Sequence, residues 1–336
     1  MSGNGAITPA LGWHRLLAHL DRGTILVLGG QGSGKTSLAR WLVGQLGRGL
    51  DRVALVDCDP GQSTIGVPGC LGLAITGPWE APAALWFVGS TSPPGHLLPS
   101  VVGAARLAAR ARAAGAQAVI LDTSGLVAGG AARALHYHLA LAAEVDQVVA
   151  IGGNGGHGGG GAGGEAVEAL VGLLQAEGRQ IERVPGSAAA RDRGDAARRD
   201  HREARFAAHF QGARTRWVSP RRVFGADWGS EAAGGLAEGT VAGFLDGEGF
   251  CLGLGIVEEI HADRVAVYTS VIDVPVVRLQ AGSFRLDRDG RELPAAGGPA
   301  GADGGGGEPG GNGRTAVEAG EAGEERGRPL RVAERG

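Results

Sequence analysis

The segment from Gly29 to Thr36 has the residue types and the spacing that bind phosphate. Its sequence, GGQGSGKT, fits G-x4-G-K-[ST] at every fixed position. In this motif backbone N–H groups surround a phosphate, the lysine balances its charge, and the final hydroxyl binds Mg²⁺. We therefore predict a bound nucleoside triphosphate with Mg²⁺. The predicted nucleotide-binding residues are Gly29, Gly30, Gln31, Gly32, Ser33, Gly34, Lys35, Thr36 and Ser37.

Lys35 is the only lysine in a chain that otherwise uses arginine for its cationic side chains. A compact ammonium group reaches between phosphate oxygens where the planar guanidinium group fits poorly, so this exception supports the phosphate-binding prediction. The lysine count also argues against the regulatory and metallochaperone GTPases. Those proteins normally recognise guanine through an N/T-K-x-D motif, and a chain whose single lysine lies in the P-loop has no such motif.

Acidic residues follow two of the predicted strands. Asp57 and Asp59 lie in the sequence DCDPGQ, which ends at Gln62, and Asp122 ends another apolar run. The carboxyl ends of strands in α/β sheets face bound ligands, so we expect these carboxylates near the phosphates. The alternatives are an Asp-Pro-Gly turn for the first pair and a helix cap for Asp122. We predict Thr36, Asp59 and Asp122 as Mg²⁺ ligands.

Residues 191–222 contain ten arginines and four acidic residues. The spacing of Arg198, Arg202 and Arg205 places these three on one face of a predicted helix. After a P-loop domain, such a helix fits a mobile lid whose arginines stabilise a transferring phosphoryl group or hold a polynucleotide backbone. A solvated helix face is the usual explanation of a charge run, and the pattern leaves both interpretations open.

Alternating strands and helices surround these motifs and predict a parallel α/β sheet. The predicted strands are Thr24–Leu28, Arg52–Val56, Leu85–Val88, Ala118–Leu121 and Gln147–Ile151. The predicted helices are Lys35–Leu46, Val101–Ala114, Ala131–Ala143, Ala166–Leu174 and Arg191–Phe210. After about residue 216, short strands separated by glycine and aspartate turns predict a small antiparallel β domain. Its strands are Thr240–Leu245, Cys251–Ile260, Arg264–Ser270 and Val276–Leu286.

These patterns predict the organisation of the chain. The segments are an N-terminal extension (1–23), a P-loop domain (24–214) with a glycine-rich loop (152–164) and a lid (191–212), a small β domain (215–293), and a disordered tail (294–336). The tail is rich in glycine, alanine, glutamate and arginine without periodicity, which favours disorder.

Composition sets further limits on function. The net charge of −3 over 336 residues argues against a chain that is a basic nucleic-acid binder throughout. Cys58, Cys70 and Cys251 lack zinc-ligand spacing and are too few for a disulfide scaffold, which predicts reduced thiols. The N-terminus has no signal-like pattern and no apolar run reaches membrane-spanning length, so we predict a cytoplasmic protein without a membrane partner.

Four features together resemble the polynucleotide 5′-hydroxyl kinases. They are the P-loop, the DCDPGQ turn, the GSTSP sequence at 89–93 and the arginine segment that ends in HFQG at 209–212. This family includes the kinase subunit of the eukaryotic pre-mRNA cleavage machinery, the pre-rRNA-processing kinase and simpler archaeal members. The strands around Gly253–Ile256 also look like the family's small β domain. The resemblance covers residues 25–293 and is closest in layout to the short archaeal-like members.

The resemblance implies roles for individual residues. Asp59 would activate the substrate's 5′-hydroxyl or organise the metal, and residues 123–125 would belong to a clasp around the nucleotide. Leu126 stands where the family often has an aromatic residue, which weakens the expected grip of the clasp. The N-terminal β domain of eukaryotic members has no expected counterpart here. The implied catalytic residues are Lys35, Asp59, Arg193 and Arg198.

We therefore predict a kinase that uses ATP or GTP with Mg²⁺ and transfers the γ-phosphate to the 5′-hydroxyl of RNA or DNA, single-stranded or duplex. One alternative is a small-molecule P-loop kinase, because a short lid serves either kind of acceptor. A second alternative is a non-catalytic ATP-binding scaffold, against which the intact P-loop, acids and lid arginines argue.

Overall fold

The computed structural model describes residues 7, 9–10, 12–20, 22–76, 82–152, 162–186, 194–224, 236–272 and 276–294. The described strands form two sheets, and the helices pack against them. The helices are α1 (Trp13–Leu16), α2 (Lys35–Leu46), α3 (Leu97–Ala113), α4 (Gly129–Ala142), α5 (Ala162–Ala176) and α6 (Asp195–His209). The first-sheet strands are β1 (Gly23–Leu28), β2 (Val53–Cys58), β3 (Cys70–Ile75), β4 (Ala84–Phe87), β5 (Ala118–Thr123), β6 (Gln147–Gly152) and β7 (Gln180–Pro185). The second-sheet strands are β8 (Arg214–Val218), β9 (Val223–Phe224), β10 (Thr240–Leu245), β11 (Cys251–Ile260), β12 (Val265–Thr269), β13 (Arg278–Leu286) and β14 (Glu292–Leu293).

The first sheet has the strand order β4-β3-β2-β5-β1-β6-β7. The five strands from β2 to β7 in this order run parallel, which confirms the predicted α/β architecture. At one end of the sheet β3 pairs antiparallel with both β2 and β4, so β3 runs opposite to the other six strands. Strand β3 was not predicted, since its six residues lie within a glycine- and proline-rich stretch that reads as loop.

Helices cover both faces of the first sheet, so its central strands are buried on both sides, as continuous apolar runs require. Helix α2 and the short helix α1 pack on one face through Leu38, Leu42 and Trp13. Helices α3, α4 and α5 pack on the other face, where small and branched residues such as Leu107 and Leu139 fill the core. The carboxyl ends of the parallel strands are thereby left as the polar edge that carries the functional motifs.

The second sheet has the order β14-β13-β10-β11-β12-β8, with neighbouring strands antiparallel, and β9 adds a short parallel pairing to β13. This sheet confirms the predicted antiparallel unit. Strand β8 begins at Arg214 and was not predicted, because its alternating arginines read as part of the charge run. One face packs on α6, where Phe206 and Phe210 meet Phe284 and Tyr268.

Buried contacts join the two sheets. Phe87 of β4 lies against Gly243 of β10, where a Cβ would sit 2.5 Å from the ring. The thiols of Cys70 in β3 and Cys251 in β11 lie 3.9 Å apart, both buried and both free. The described elements belong to one compact unit within residues 1–298.

Several predicted boundaries change. Helix α6 begins at Asp195, four residues after the predicted start, and α5 begins at Ala162, inside the predicted glycine-rich loop, because alanine and glutamate there favour helix. The remainder of that loop (153–161) and residues 295–336 of the tail lie outside the described residues. Within the described part of the chain, none of the helices has the length and apolar character needed to cross a membrane.

Candidate active site

The P-loop joins the end of β1 to the start of α2. Gly32 and Gly34 have φ values of +67° and +93°, a left-handed conformation that glycine adopts with little cost. Gly34 is the residue before the first helical residue, Lys35, so the loop delivers its backbone N–H groups to the N-terminus of α2. A helix N-terminus with free N–H groups favours a phosphate group on electrostatic grounds. The local geometry thus matches the predicted motif.

Lys35 is folded back over its own loop. Its Nζ donates hydrogen bonds of 2.9 and 2.8 Å to the carbonyl oxygens of Gly29 and Gly30, and the residue is 7% exposed. Burial lowers the pKa of Lys35, while the negative charges of Asp122 and Asp59 act in the opposite direction. The structure therefore brings the P-loop lysine and the two predicted metal-binding acids together.

Asp122 lies at the end of β5, directly beside the P-loop helix. Its carboxylate accepts a hydrogen bond from the Thr36 hydroxyl, and burial together with repulsion from Asp57 raises its pKa to about 7. The Oδ1 atom of Asp122 is buried and has no hydrogen-bond partner among the described residues. A buried carboxylate oxygen without a partner, next to a threonine hydroxyl, fits the all-oxygen ligand preference of Mg²⁺.

No three His, Cys, Asp or Glu side chains in the described ranges are grouped so that they could hold a metal ion. A P-loop Mg²⁺ site does not require such a group, because nucleotide phosphates and water supply most of the ligands. The adjacent side chains of Thr36 and Asp122 therefore fit a Mg²⁺ site in which the protein supplies only a few of the ligands.

Asp57 is the register partner of Asp122 across β2 and β5, yet its role differs. The residue is 2% exposed, and its carboxylate accepts hydrogen bonds from the Thr64 hydroxyl (2.9 Å) and from the backbone N–H groups of Thr64, Ile65 (3.2 Å) and Asp59 (3.1 Å). Burial raises the pKa of Asp57 to about 6, and these hydrogen bonds oppose the rise. Asp57 thus holds the turn that follows β2 in shape.

Asp59 lies at the open side of that turn. One carboxylate oxygen accepts hydrogen bonds from the N–H groups of Gly61 (2.9 Å) and Gln62 (3.0 Å), which fixes the side chain as an Asx turn does. The Gln62 amide donates to the carbonyl oxygen of Arg198 at 3.5 Å. The DCDPGQ turn therefore links Lys35 on one side to the predicted lid on the other.

The segment after β5 lies against the P-loop, as the predicted clasp requires. The Thr123 hydroxyl donates to the Val27 carbonyl oxygen (2.7 Å), and a Cβ at Gly125 would lie 3.1 Å from the Cα of Gln31. His136 of α4, which sequence reasoning did not single out, is buried with its Nε2 2.7 Å from the carbonyl oxygen of Leu126. Burial lowers the pKa of His136 to about 4, so the ring is neutral and donates that hydrogen bond.

The predicted lid is helix α6 over most of its length. Arg198 is 21% exposed in its side chain and pairs with Asp195 at 3.3 Å. The Arg205 guanidinium donates to the Gly66 carbonyl oxygen, and Arg202 pairs with Glu292 of the second sheet. All three arginines on the predicted face thus make contacts within the protein, and those of Arg202 and Arg205 reach beyond α6. Arg193 lies outside the described residues, so its predicted role stays a prediction.

Comparison with known proteins places this site in a family. The family model described as mRNA cleavage and polyadenylation factor CLP1 P-loop matches residues 29–212. Three archaeal proteins named polyribonucleotide 5′-hydroxyl-kinase are similar in sequence: one from Thermococcus kodakarensis is 38% identical over 112 residues, one from Methanocaldococcus jannaschii 37% over 114, and one from Pyrococcus horikoshii 32% over 113. Each alignment covers 32% of this chain and spans about a third of the relative's length.

Solved structures are similar in fold. The structure of a wild-type Clp1p–Pcf11p complex aligns with a TM-score of 0.59 at 14% identity, over 81% of this chain and 77% of that chain. A second Clp1p–Pcf11p structure, of a Gly135Arg point mutant, aligns with a TM-score of 0.57 at the same identity and coverage.

The family match extends over more than half of the chain, from the first P-loop glycine to the last residue of the lid, and it agrees with the resemblance predicted from the motifs. This chain belongs to the CLP1 P-loop family.

Proposed function

We propose that this protein is a polynucleotide 5′-hydroxyl kinase that transfers the γ-phosphate of ATP to the 5′-hydroxyl of RNA or DNA. The observation that carries the proposal is the convergence of Lys35, Asp59 and Asp122 at one sheet edge, next to an arginine-bearing helix. The names of the three archaeal relatives support the same activity. The single lysine excludes the N/T-K-x-D motif of regulatory GTPases, and the proposed donor is ATP, with GTP as the alternative.

In this proposal the P-loop backbone and Lys35 hold the β- and γ-phosphates. The 5′-hydroxyl oxygen attacks the γ-phosphorus, the bond from that phosphorus to the β,γ-bridging oxygen breaks, and ADP leaves. Asp59 receives the hydroxyl proton, while Arg198 and Arg193 stabilise the charge on the transferring group. Thr36, Asp122 and Asp59 would hold Mg²⁺, which when bound would supply neutralisation of the charge on the phosphate oxygens.

The proposal extends to the surroundings of the site. Residues 123–125, adjacent to Gln31, form the nucleotide clasp. The chain divides into a P-loop domain up to about residue 214 and a small β domain after it. The three free, buried cysteines support a reducing compartment, and we place the protein in the cytoplasm with nucleic-acid 5′ ends as its partners.

The test is transfer of labelled γ-phosphate from ATP to 5′-hydroxyl RNA and DNA oligonucleotides with Mg²⁺, with Lys35→Ala as the control. Label on an oligonucleotide with the wild type, and none with the variant, supports the proposal, and the RNA to DNA ratio gives the acceptor preference. Oligonucleotides that stay unlabelled while ATP still binds would overturn it. Transfer to a nucleoside but to no oligonucleotide would instead support a small-molecule kinase.

A further inference from the structure

Helix α6 is held from two sides. Towards the P-loop domain, the Arg198 carbonyl oxygen accepts from Gln62, and Arg205 donates to the carbonyl oxygen of Gly66. Towards the second sheet, the helix packs on residues 287–293, which comprise the turn after β13 and the strand β14. This segment is here termed the β13–β14 hairpin. The helix therefore bridges the catalytic turn and a part of the chain roughly ninety residues away.

An ion pair marks the contact with the hairpin. Arg202 donates through Nε and Nη2 to the two carboxylate oxygens of Glu292, the latter at 3.0 Å, and both side chains are largely buried at 17% and 22% exposure. This bidentate geometry fixes direction as well as distance. The Arg199 guanidinium donates to the backbone carbonyl oxygen of Glu292 (2.9 Å). The backbone N–H of Glu292 in turn donates to the Glu203 carboxylate (3.1 Å). Glu292 thus binds three residues on two successive turns of α6.

A close backbone approach marks the same contact. Gly290 has a φ of +84°, and a Cβ there would lie 2.7 Å from the backbone nitrogen of Ala207 and 2.9 Å from the Cβ of Phe206. The hairpin therefore touches the helix backbone directly, without a side chain between them. Since close-packed contacts deform little, the hairpin sets the height and the rotation of α6.

Arg202 lies one helical turn after Arg198, so a contact that holds Arg202 also holds the backbone from which the Arg198 side chain extends. A misplacement of about 1 Å in a catalytic group costs up to about a hundredfold in rate. The hairpin contacts α6 on one side, and the Arg198 carbonyl oxygen of α6 meets Gln62 on the other, so α6 connects this part of the second sheet to the DCDPGQ turn.

We propose that Glu292 and Gly290 of the β13–β14 hairpin are positioning residues for phosphoryl transfer: they hold α6 so that Arg198 meets the transferring phosphoryl group. This inference rests on the proposed function. It assigns the second sheet a role in catalysis, as the support of the lid, in place of a purely structural one.

The test is a double-mutant cycle with Glu292→Gln, Arg202→Gln and the double variant. Glu168→Gln is the matched control, because Glu168 also accepts hydrogen bonds from Nε and Nη2 of one arginine, Arg183, which lies in β7 and not in α6. We expect each single variant to lower kcat about tenfold or more with the KM for ATP within twofold, and the double variant to be no worse than the worse single. Glu292→Asp, which keeps the carboxylate, is expected to recover part of kcat.

Hydrogen–deuterium exchange separates the outcomes. We expect the amides of α6 to exchange faster in the Glu292 and Arg202 variants, while those of α2 and the Glu168 control keep wild-type rates. Additive losses in the double variant, or α6 exchange that stays at the wild-type rate, would overturn the inference. A wild-type protein that transfers no phosphate overturns the proposed function itself, and the exchange of α6 then still decides whether Glu292 holds the helix.

Discussion

Asp57 and Asp122 sit side by side at the ends of two adjacent strands and are equally buried, yet their hydrogen bonds separate their roles. Asp57 has its oxygens filled by donors from the turn that follows it. Asp122 keeps one oxygen without a partner among the described residues. At the residue scale, the number of donors already present distinguishes an acid that builds the site from one that is available to a cation.

We predict that Asp122→Asn stabilises the protein without nucleotide and that the gain depends on pH. The folded-state pKa of Asp122, about 7, lies above its ordinary value, so the folded state keeps a proton that the unfolded chain releases and stability falls as pH rises from about 4 to about 7. Asparagine removes this cost. The gain in unfolding free energy should be on the order of 2 kcal/mol larger at pH 8 than at pH 5.

Thermal denaturation at the two pH values measures this gain, and the affinity for ATP with Mg²⁺ should fall in the same variant. A stabilisation of equal size at both pH values would contradict the prediction, since it would not come from the titration of this carboxyl.

We predict the opposite sign for Asp57→Asn. An amide cannot accept with both of its terminal atoms, so donors of the 59–65 turn lose their partner in a buried site, at a cost of about 1–3 kcal/mol. Denaturant unfolding should show the loss at pH 5, because at pH 8 the buried carboxylate of Asp57, whose pKa is raised to about 6, carries a cost of ionisation that asparagine removes. An Asp57→Asn protein as stable as wild type would mean that the turn holds its shape without this carboxylate.

At the scale of elements, the arginines of α6 differ in the groups that they contact. Its strong amphipathic pattern suggests one arginine face, but the structure assigns Arg202 to the second sheet and Arg205 to a loop carbonyl group. Arg198 is the arginine on this face whose backbone meets the catalytic turn. The start of α6 therefore lies next to the DCDPGQ turn through the Arg198 backbone, and Arg202 connects the next helical turn to the second sheet.

We predict that Arg198→Ala lowers kcat by about a thousandfold or more while ATP binding stays within a few-fold of wild type, because arginines at the transferring phosphoryl group act mainly in the transition state. Arg183→Ala, which removes an exposed ion pair with Glu168, is the control and should leave kcat unchanged. Single-turnover transfer and nucleotide titration measure the two quantities. Equal losses in kcat and in ATP affinity would argue for simple nucleotide binding by Arg198.

We predict that Gly290→Ala destabilises the protein by about 1–3 kcal/mol, because the new methyl group overlaps the backbone of Ala207 and the positive φ disfavours any side chain. Gly212→Ala is the comparison: φ is also positive there, +73°, but no atom lies within 4 Å of the added Cβ. Urea unfolding should therefore show the larger loss for Gly290→Ala. If Gly290→Ala and Gly212→Ala lost the same unfolding free energy, the loss would come from backbone strain alone and not from the contact with α6.

Local patterns predicted the elements next to the chemistry well. The P-loop, the DCDPGQ turn and the end of β5 are each encoded within a few residues, so spacing alone placed Lys35, Asp59 and Asp122 at one edge. Strands β3, β7 and β8 were missed, because a short run in a glycine-rich stretch or with alternating arginines carries no clear period. Glu292 contacts residues about ninety positions earlier in the chain, and no local pattern records such a contact.

At the scale of the whole molecule, the net charge is −3, so the chain as a whole does not attract a negatively charged nucleic acid. Attraction of that substrate has to come from local arginines. We predict that raising the salt concentration from 50 to 200 mM increases the KM for an oligonucleotide about sevenfold if two single-strand phosphates are contacted, and changes the KM for ATP less. Steady-state kinetics over a salt series measures the slope. A flat oligonucleotide series would rule out backbone contacts as a source of affinity.

The two sheets share a buried interface, and the catalytic residues belong to the first sheet while the support of α6 belongs to the second. Sequence predicted both sheets but not their joint contribution, because domain packing depends on the complementarity of surfaces that no motif describes. In the proposed function the second sheet therefore contributes to the geometry of the site through α6.

The burial of Lys35 has a practical consequence for chemistry on this protein. Apart from the chain terminus, its side chain carries the only primary amine, and the lowered pKa leaves more of that amine in its nucleophilic, uncharged form at neutral pH. An aldehyde or activated ester small enough to enter the P-loop would therefore mark the nucleotide site and the chain terminus. Protection by ATP would turn that labelling into a direct count of occupied sites, and a lysine-specific protease would cut the unfolded chain at this one internal position.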